Sequence, residues 1–416
     1  MSRRKLPIGI QDFRTIRETD CYYVDKTPHI RQLVEDGRFY FLSRPRRFGK
    51  SLLLDTIRLL FEGEEELFRG LAIHSEWNWS ESHPVVRLSF GGKYNEPGDV
   101  ERSVINQLVW VEEQAQLDSL SAAQTGPERL QDVLRRLHHS TGRQVVVLVD
   151  EYDKPILDVL DDPEMAKSNR DYLRGLYGII KDSAEHVRFV LVTGVSMFSK
   201  VSLFSGLNNL KDISIDPRFA SICGYTDEDL DEVFPAELPS LDRDDIRRWY
   251  NGYGWLGGKR LYNPIDILLL FDSRQFRPYW FETGSPQFLF RMLVQERVNP
   301  MALENRVADQ SLVSRFDVGD IGIDALLFQT GYLTIVGEER RGTRIRYTLD
   351  YPNLEVRQSL SHGLLEYVTR RGREAEDRGM ELVDLLTEND FAGFGERLHP
   401  EIALEHYFRI NSPILA

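Results

Sequence analysis

The sequence predicts an α/β fold in which a mostly parallel β-sheet lies between two layers of helices. Three observations predict it. Short apolar runs alternate with longer helical patterns between residues 39 and 193, as in successive βαβ units. The run Val145-Val-Val-Leu-Val149 has no polar alternation, which suits a central strand covered on both faces. A loop carrying Gly, Lys and Ser joins a strand directly to a helix at residues 44–51.

The elements follow in order. Phe39–Ser43 reads as a short buried strand, and residues 49–61 as a helix with Leu52, Leu53, Leu54, Ile57, Leu60 and Phe61 available for one face. Residues 62–66 read as its solvated end. Pro84 precedes a second strand, Val85–Phe90, which Gly91-Gly92 ends. Helical patterns at 98–118 and 127–139 lead to the Val145–Val149 strand, and a helix at 165–185 leads to a strand at 188–193. Beyond residue 215, helical segments such as 227–233 and 242–250 alternate with aromatic turns, and a hairpin is expected at Gly331–Val336 and Arg344–Leu349. The expected organisation is a core over 1–215, a mainly helical accessory or lid region with a small hairpin over 216–355, and a helical tail over 356–416.

Composition excludes several classes. The 416 residues include 52 basic and 66 acidic side chains, a formal charge of −14. With 41% hydrophobic and 28% charged residues the chain is globular, not disordered, collagen-like or coiled-coil. The negative charge argues against coating nucleic acid by bulk electrostatics, though it allows a local basic site. Cys21 and Cys223 are the two cysteines, so no disulfide framework is expected and a reducing interior suits the chain. The first ten residues lack an apolar secretory core, and no run approaches the ~18 apolar residues of a membrane helix. A cytoplasmic location is expected, with no membrane contact.

The segment Arg44-Pro-Arg-Arg-Phe-Gly-Lys-Ser51 meets the end of the pattern G-x-x-x-x-G-K-[ST] at Gly49, Lys50 and Ser51, with Arg44 in place of the first Gly. In such a P-loop, backbone N–H groups and the helix N-terminus face an anion. Arg46, Arg47, Phe48, Gly49, Lys50 and Ser51 are therefore the candidate nucleotide-binding residues. Gly49 lets the main chain approach a phosphate, Lys50 reaches the β- and γ-phosphates, and the Ser51 hydroxyl can ligate Mg²⁺. From Arg38 to Arg58 there are six basic residues against one acidic, Asp55.

A P-loop needs a carboxylate at the end of a nearby strand, and Val145–Val149 is followed by Asp150-Glu151-Tyr-Asp153. Asp150 is expected to hold Mg²⁺ with Ser51, and Glu151 to act as general base on water. The acidic motif alone reads as a solvated strand end, whereas the loop with its flanking strand and helix already favours a P-loop; together they point to a P-loop NTPase core in which Lys50 and Asp150 meet across neighbouring strands. One strand, Val85–Phe90, separates the motifs in sequence, which agrees with the P-loop class that has an added strand and a Glu after the Asp. The strand ending at Thr193 is followed by Gly194 and Ser196, and Thr193 or Ser196 could sense the γ-phosphate or orient the water. A strand-end cap is the competing reading.

These residues resemble the prokaryotic AAA-ATPase-like family, whose members often carry a C-terminal PD-(D/E)XK nuclease-like domain. The resemblance rests on Leu6–Phe13, Tyr23–Thr27, Arg44–Leu52, Val149–Pro155, Thr193–Ser196, Leu207–Leu210, Gly224–Thr226, Trp249–Tyr253, Tyr262–Pro264 and Gly331–Thr334. It implies a P-loop ATPase core using ATP and Mg²⁺, and it implies that Arg44 at the first Gly position is normal. The nuclease half is where the chain departs. That chemistry needs strand-borne carboxylates and usually a Lys, and the last Lys is Lys259. No nuclease activity is expected; the chain ends where such a domain would begin, as a short form or a truncated product.

Other candidates are structural by comparison. Thr27-Pro28 reads as a helix N-cap with Pro at N1, which makes Asp25 and Lys26 structural. Ile8–Phe13 is a candidate adenine pocket. The cluster Trp249–Trp255 could stack a base but more often packs a turn. His138-His139 reads as surface, the nine His and two Cys show no metal-ligand spacing, and Arg218 and Arg277 are candidate γ-phosphate arginines better read as surface. The expected function is Mg-dependent ATP binding and hydrolysis that reports nucleotide state to a protein partner or a second copy. The alternatives are a regulatory or defence switch with little turnover, or an ATPase accessory to a DNA-processing nuclease.

Overall fold

A computed structural model describes residues 3–117, 120–197, 203, 207, 209–256, 258–282, 287–296, 298, 300–309, 312, 316–317, 320–342, 344–369, 380–381, 384–385, 387–388 and 390–395. Most of the tail expected to be helical therefore lies outside the described residues, as does part of the Leu207–Leu210 motif. No described helix is long and apolar enough to cross a membrane.

The chain opens with α1 (Phe13–Glu18) and α2 (Thr27–Asp36), followed by β1 (Phe39–Ser43) and α3 (Lys50–Glu62). After β2 (Val85–Ser89) come α4 (Asp99–Gln114) and α5 (Gly126–Thr141), and then β3 (Val145–Asp150). The short α6 (Lys154–Leu157) and long α7 (Pro163–Asp182) lead to β4 (Val187–Gly194) and a two-residue β5 (Lys211–Asp212).

These strands form one five-stranded, all-parallel sheet in the order β2-β3-β4-β1-β5. All six residues of β3 are buried, as its unbroken apolar run requires. The register sets Ser43 opposite Gly194 and Ser89 opposite Asp150, so β1, β3 and β4 all end at one edge. One expectation is corrected here. The strand between the phosphate loop and the acidic strand is not Val85–Ser89, which pairs with the far side of β3, but β4, which follows the acidic strand in the chain. The loop strand β1 and the acidic strand β3 are thus not neighbours.

The following region contains α8 (Asp227–Val233), α9 (Arg243–Tyr250), α10 (Pro264–Ser273), α11 (Tyr279–Glu282) and α12 (Gln287–Gln295). It continues with β6 (Arg306–Asp309), a small ladder of β7 (Phe316–Asp317) and β8 (Asp320–Ile321), and α13 (Ile323–Thr330). The hairpin β9 (Thr334–Arg341) and β10 (Arg344–Asp350) precedes α14 (Leu354–Thr369), and β6 adds a third antiparallel strand to it. One apolar core runs through both regions: Phe41, Leu54, Ile57, Val147 and Leu191 share it with Trp255, Trp280 and Leu326. A second core gathers Leu230, Phe234, Ile246, Ile267 and Phe271 around Tyr22 and Val24 from the N-terminal segment.

The N-terminal segment is fastened by polar contacts. Thr27 is the first helical residue rather than the cap: its N–H and hydroxyl both donate to Asp25 Oδ1, at 2.9 and 2.6 Å. Asp25 Oδ2 accepts from Ala72 N, and Lys26 pairs with Asp229 at 2.8 Å. Phe13 of the candidate adenine pocket is fully buried against Tyr23 and Phe68, so its ring is not available to a base.

Asp266 on α10 and Glu355 on α14 are both fully buried and face one another. Trp280 N–H donates to Glu355 Oε1, and Asp266 takes no N–H or hydroxyl donor among the described residues. Burial pushes the Asp266 carboxyl well above its ordinary range, and the Glu355 charge pushes it further. A raised folded-state pKa stabilises the fold fully below the unfolded value of about 4, and that contribution declines as pH rises through the raised value. Melting temperatures of the wild type should therefore fall relative to Asp266→Asn between about pH 5 and about pH 8. Parallel profiles from differential scanning calorimetry would show that the pair does not titrate as described.

Candidate functional site

The loop between β1 and α3 is held from below by buried side chains. Gly49 caps α3 with φ +93° and Arg47 has φ +65°, so two left-handed residues turn the chain into the helix. A Cβ built on Gly49 would meet nothing within 4 Å, so the main chain there borders open space. Phe48 points the other way. Its ring is fully buried, edge-on to Tyr253 and Trp255 at 4.9 and 5.1 Å between centroids. Gly224 N–H donates to Phe48 O, and Asn263 Nδ2 donates to Arg46 O. What Phe48 can offer an anion is its N–H, not its side chain. Arg46 and Arg47 are exposed.

Arg44, which stands where a P-loop has its first Gly, is also fully buried. Its Nη1 donates to Ser43 O and Ser214 O at 2.8 and 2.7 Å, and its Nη2 to Phe219 O and Ala220 O at 3.2 and 3.3 Å. The guanidinium lies over the Trp255 ring at 4.2 Å, a cation–π contact. Burial pulls its pKa down to about 10, with Cys223 and Asp212 opposing, and it stays a cation at neutral pH. Arg44 is thus a fastening of the loop and takes no part in its basic mouth. The aromatic Trp249–Trp255 cluster supplies this fastening: Tyr253 and Trp255 stack at 6.1 Å, while Trp249 packs on Tyr250 and Phe276.

Lys50 lies at the centre of the loop, nearly buried, with Nζ donating to Arg44 O and Pro45 O at 2.9 Å each. Burial lowers its pKa, and Asp150, Asp153, Cys223 and Glu151 oppose that in descending order. α3, which opens with Lys50, packs on β3, so the ammonium lies within electrostatic reach of the β3 carboxylates although β4 runs between β1 and β3.

Asp150 is buried at the end of β3. Its Oδ1 accepts from Thr193 Oγ1 at 2.9 Å, and its Oδ2 lies 3.7 Å from Arg87 Nη2. Glu151 follows at φ +53°, a left-handed conformation that turns its side chain out of the strand's alternation. Its carboxylate passes Gly91, where a Cβ would stand 3.5 Å from Oε2. Burial raises the Glu151 pKa, Asp150 adds to the rise, and Lys50 opposes it. Asp153 is buried and accepts from Val195 N, Ser196 N and the Ser196 hydroxyl, which locks the end of β3 to the end of β4. The Thr193 hydroxyl thus has Asp150 Oδ1 and Val149 O within reach, and the Ser196 hydroxyl donates to Asp153. Arg218 is exposed and paired with Asp36 and Asp216, and Arg277 contributes its main chain to a contact with Tyr250.

Two residues of this network escaped the sequence reading. Asp55, one turn beyond Ser51 on α3, accepts from Phe13 N at 2.8 Å and from Arg58, and Arg87 Nη1 reaches it at 3.2 Å. Both interrupt apolar runs, Asp55 in Leu-Leu-Asp-Thr-Ile and Arg87 in Val-Val-Arg-Leu. A charge inside a buried pattern was the available signal.

The donor set fits Mg²⁺ with a nucleotide. Open space at Gly49 leaves room beside the helix N-terminus, Ser51 is partly exposed, and Asp150 supplies a hard oxygen. Mg²⁺ is usually held by one or two carboxylates plus phosphates, and Asp150 with Ser51 would supply the protein's share.

A parallel sheet with a lysine loop opening a helix and an Asp-Glu pair ending a nearby strand defines a P-loop-type α/β nucleotide-binding core. A family model described as "Predicted AAA-ATPase" matches residues 7–204. A protein of Azotobacter chroococcum mcd 1, described as "Uncharacterized protein in vnfD 5'region", is 53% identical over 417 residues, covering 100% of this chain and 80% of the relative. The chain belongs to the AAA-ATPase-like family. No solved structure matches it.

Arg44→Gly, which restores the first Gly of the pattern, should lower stability by about 2–5 kcal/mol, because it strips buried carbonyls of their donors and leaves a cavity on Trp255. Urea unfolding followed by tryptophan fluorescence measures this, and an unchanged midpoint would contradict the role given to Arg44.

Proposed function

We propose that this protein binds ATP with Mg²⁺ at the Arg46–Ser51 loop and hydrolyses it. The observation that carries the reading is that Lys50 opens α3 beside the open main chain at Gly49, and that α3 packs on β3, the strand that Asp150 ends and Glu151 follows. The N–H groups of Arg46 to Ser51 and the Lys50 ammonium bind the phosphates. Ser51 and Asp150 hold the metal, which when bound neutralises charge on the phosphate oxygens. Glu151 takes the proton of the attacking water; its raised pKa brings its basicity closer to that task. Thr193 keeps Asp150 in position through the 2.9 Å hydrogen bond.

Coupling to a partner follows from the same loop. Phe48 and Arg44 rest on Tyr253 and Trp255, and Pro45 lies where a Cβ on Gly331 would stand 2.7 Å from it. Any adjustment of the loop as Lys50 exchanges its carbonyl partners for phosphate is felt beyond residue 215. A protein partner or a second copy would read that change.

A phosphate-release assay tests the chemistry. Glu151→Gln should lower turnover by ~10²–10⁴-fold, the range for loss of a general base. It should keep nucleotide-induced stabilisation, about 2.7 kcal/mol at ~100 Kd. Lys50→Ala should lose both. The base must be ionised to act, so the wild-type rate should climb with pH through a value above the ordinary glutamate range. Equal phosphate release by wild type and Glu151→Gln would reject the mechanism. Stabilisation without phosphate release by the wild type would point instead to a nucleotide-gated switch.

A further inference from the structure

Arg87 lies on the outer side of β3, opposite Leu148 in the register and two residues before Ser89, which pairs with Asp150. It is a charged residue on the face of β2 that turns toward α3, while its neighbours Val86 and Leu88 are fully buried on the opposite face. Its guanidinium spans two carboxylates. Nη1 lies 3.2 Å from Asp55 Oδ1, and Nη2 lies 3.7 Å from Asp150 Oδ2.

The two carboxylates are not equally in need of it. Asp55 already accepts from Phe13 N at 2.8 Å and from Arg58 Nε and Nη2 at 3.0 and 2.8 Å. Asp150 Oδ1 is taken by the Thr193 hydroxyl, whereas its Oδ2 accepts no hydrogen bond from the described residues. That oxygen faces Arg87 across a gap too long for a direct hydrogen bond and short enough for strong attraction.

We propose that Arg87 is a positioning residue for Asp150 and sets the metal affinity of the site; this rests on the reading under Proposed function. Asp55 stands four residues after Ser51 on α3, so Arg87 ties the strand-end carboxylate to the helix that carries Lys50 and Ser51. The bridge adds a charged link between elements that already pack together, since α3 lies against both β2 and β3. Arg87 is also a cation facing the oxygen that a metal would use. Like charges oppose one another at this range, so Arg87 weakens metal binding while it aims the carboxylate. Asp55, with its other donors, keeps the guanidinium from closing fully on Asp150. Arg87 thereby keeps Asp150 oriented before the metal arrives, and resists metal that comes without nucleotide.

The test is binding of a fluorescent ATP analogue to the full chain, titrated with Mg²⁺, with melting temperatures measured alongside. Arg87→Ala removes the charge, and Arg87→Gln removes it at similar volume should the alanine variant fail to fold. Both should lower the half-saturating Mg²⁺ concentration about three- to tenfold, as expected for loss of one like charge at partly solvated range. Arg87→Lys, which keeps the charge, should restore the wild-type value. A merely structural arginine would lower the melting temperature of the neutral variants and leave the Mg²⁺ dependence alone. An unchanged or raised half-saturating concentration in both neutral variants would overturn this inference and leave the proposed function standing. Wild-type protein that binds no nucleotide in the presence of Mg²⁺ would overturn both.

Discussion

The guanidinium of Arg44 sits in full burial with two main-chain carbonyls on each terminal nitrogen and the Trp255 ring beneath it. A buried cation is costly unless its donors are satisfied; the terminal nitrogens of Arg44 are, while Nε has no partner among the described residues, and the four contacts fix Ser43, Ser214, Phe219 and Ala220 relative to one another. The phosphate loop leaves β1 at that point. With Arg44 and Phe48 turned inward, the main chain at Gly49 is left bordering open space, and the Lys50 ammonium is held beneath the loop by the Arg44 and Pro45 carbonyls. The residue that departs from the P-loop pattern is therefore the one that holds the loop to the rest of the fold. It does so by a side chain, where a first Gly could only contribute a tight turn.

The opposite wall is built by carboxylates with different tasks. Asp153 is spent on the main chain of Val195 and Ser196 and welds two strand ends together. Asp150 is aimed by Thr193 on one oxygen and by Arg87 on the other. Glu151, in a left-handed conformation and partly exposed, is the one turned out of the strand. Three acids within four residues thus receive three environments, and Lys50 balances all of them. Backbone strain at Glu151 is tolerated because the hydrogen bonds of Tyr152 and Asp153 to β4 and the following turn hold the chain on its far side.

Much of this was legible locally. The Val145–Val149 run announced a central strand because only a strand covered on both faces can be apolar at every position. Gly49, Lys50 and Ser51 stood at a strand-to-helix junction, and Asp150 and Glu151 at a strand end; both are properties of neighbouring residues. The aromatic density of Trp249–Trp255 was readable as packing, though not as packing on the phosphate loop. Arg87, Asp55 and the inward turn of Arg44 were not legible, because each is defined by a partner between 32 and 176 residues away in sequence. The hydroxyls of Thr193 and Ser196 were visible at their strand end, but the carboxylates that bind them come from another strand.

The sequence by itself determined the α/β class, the order of strands and helices along the chain, and which residues stand at the ends of β1, β3 and β4, since these follow from local periodicity and turn chemistry. Tertiary structure alone decided that β4 inserts between the loop strand and the acidic strand, that Arg44 and Phe48 face the accessory region, and that Arg87 bridges Asp55 to Asp150. Those outcomes depend on strand pairing and on satisfying buried charges with groups from distant segments. No local pattern can encode them, because the same arginine reads alike in sequence whether it meets water, a phosphate or four carbonyl oxygens.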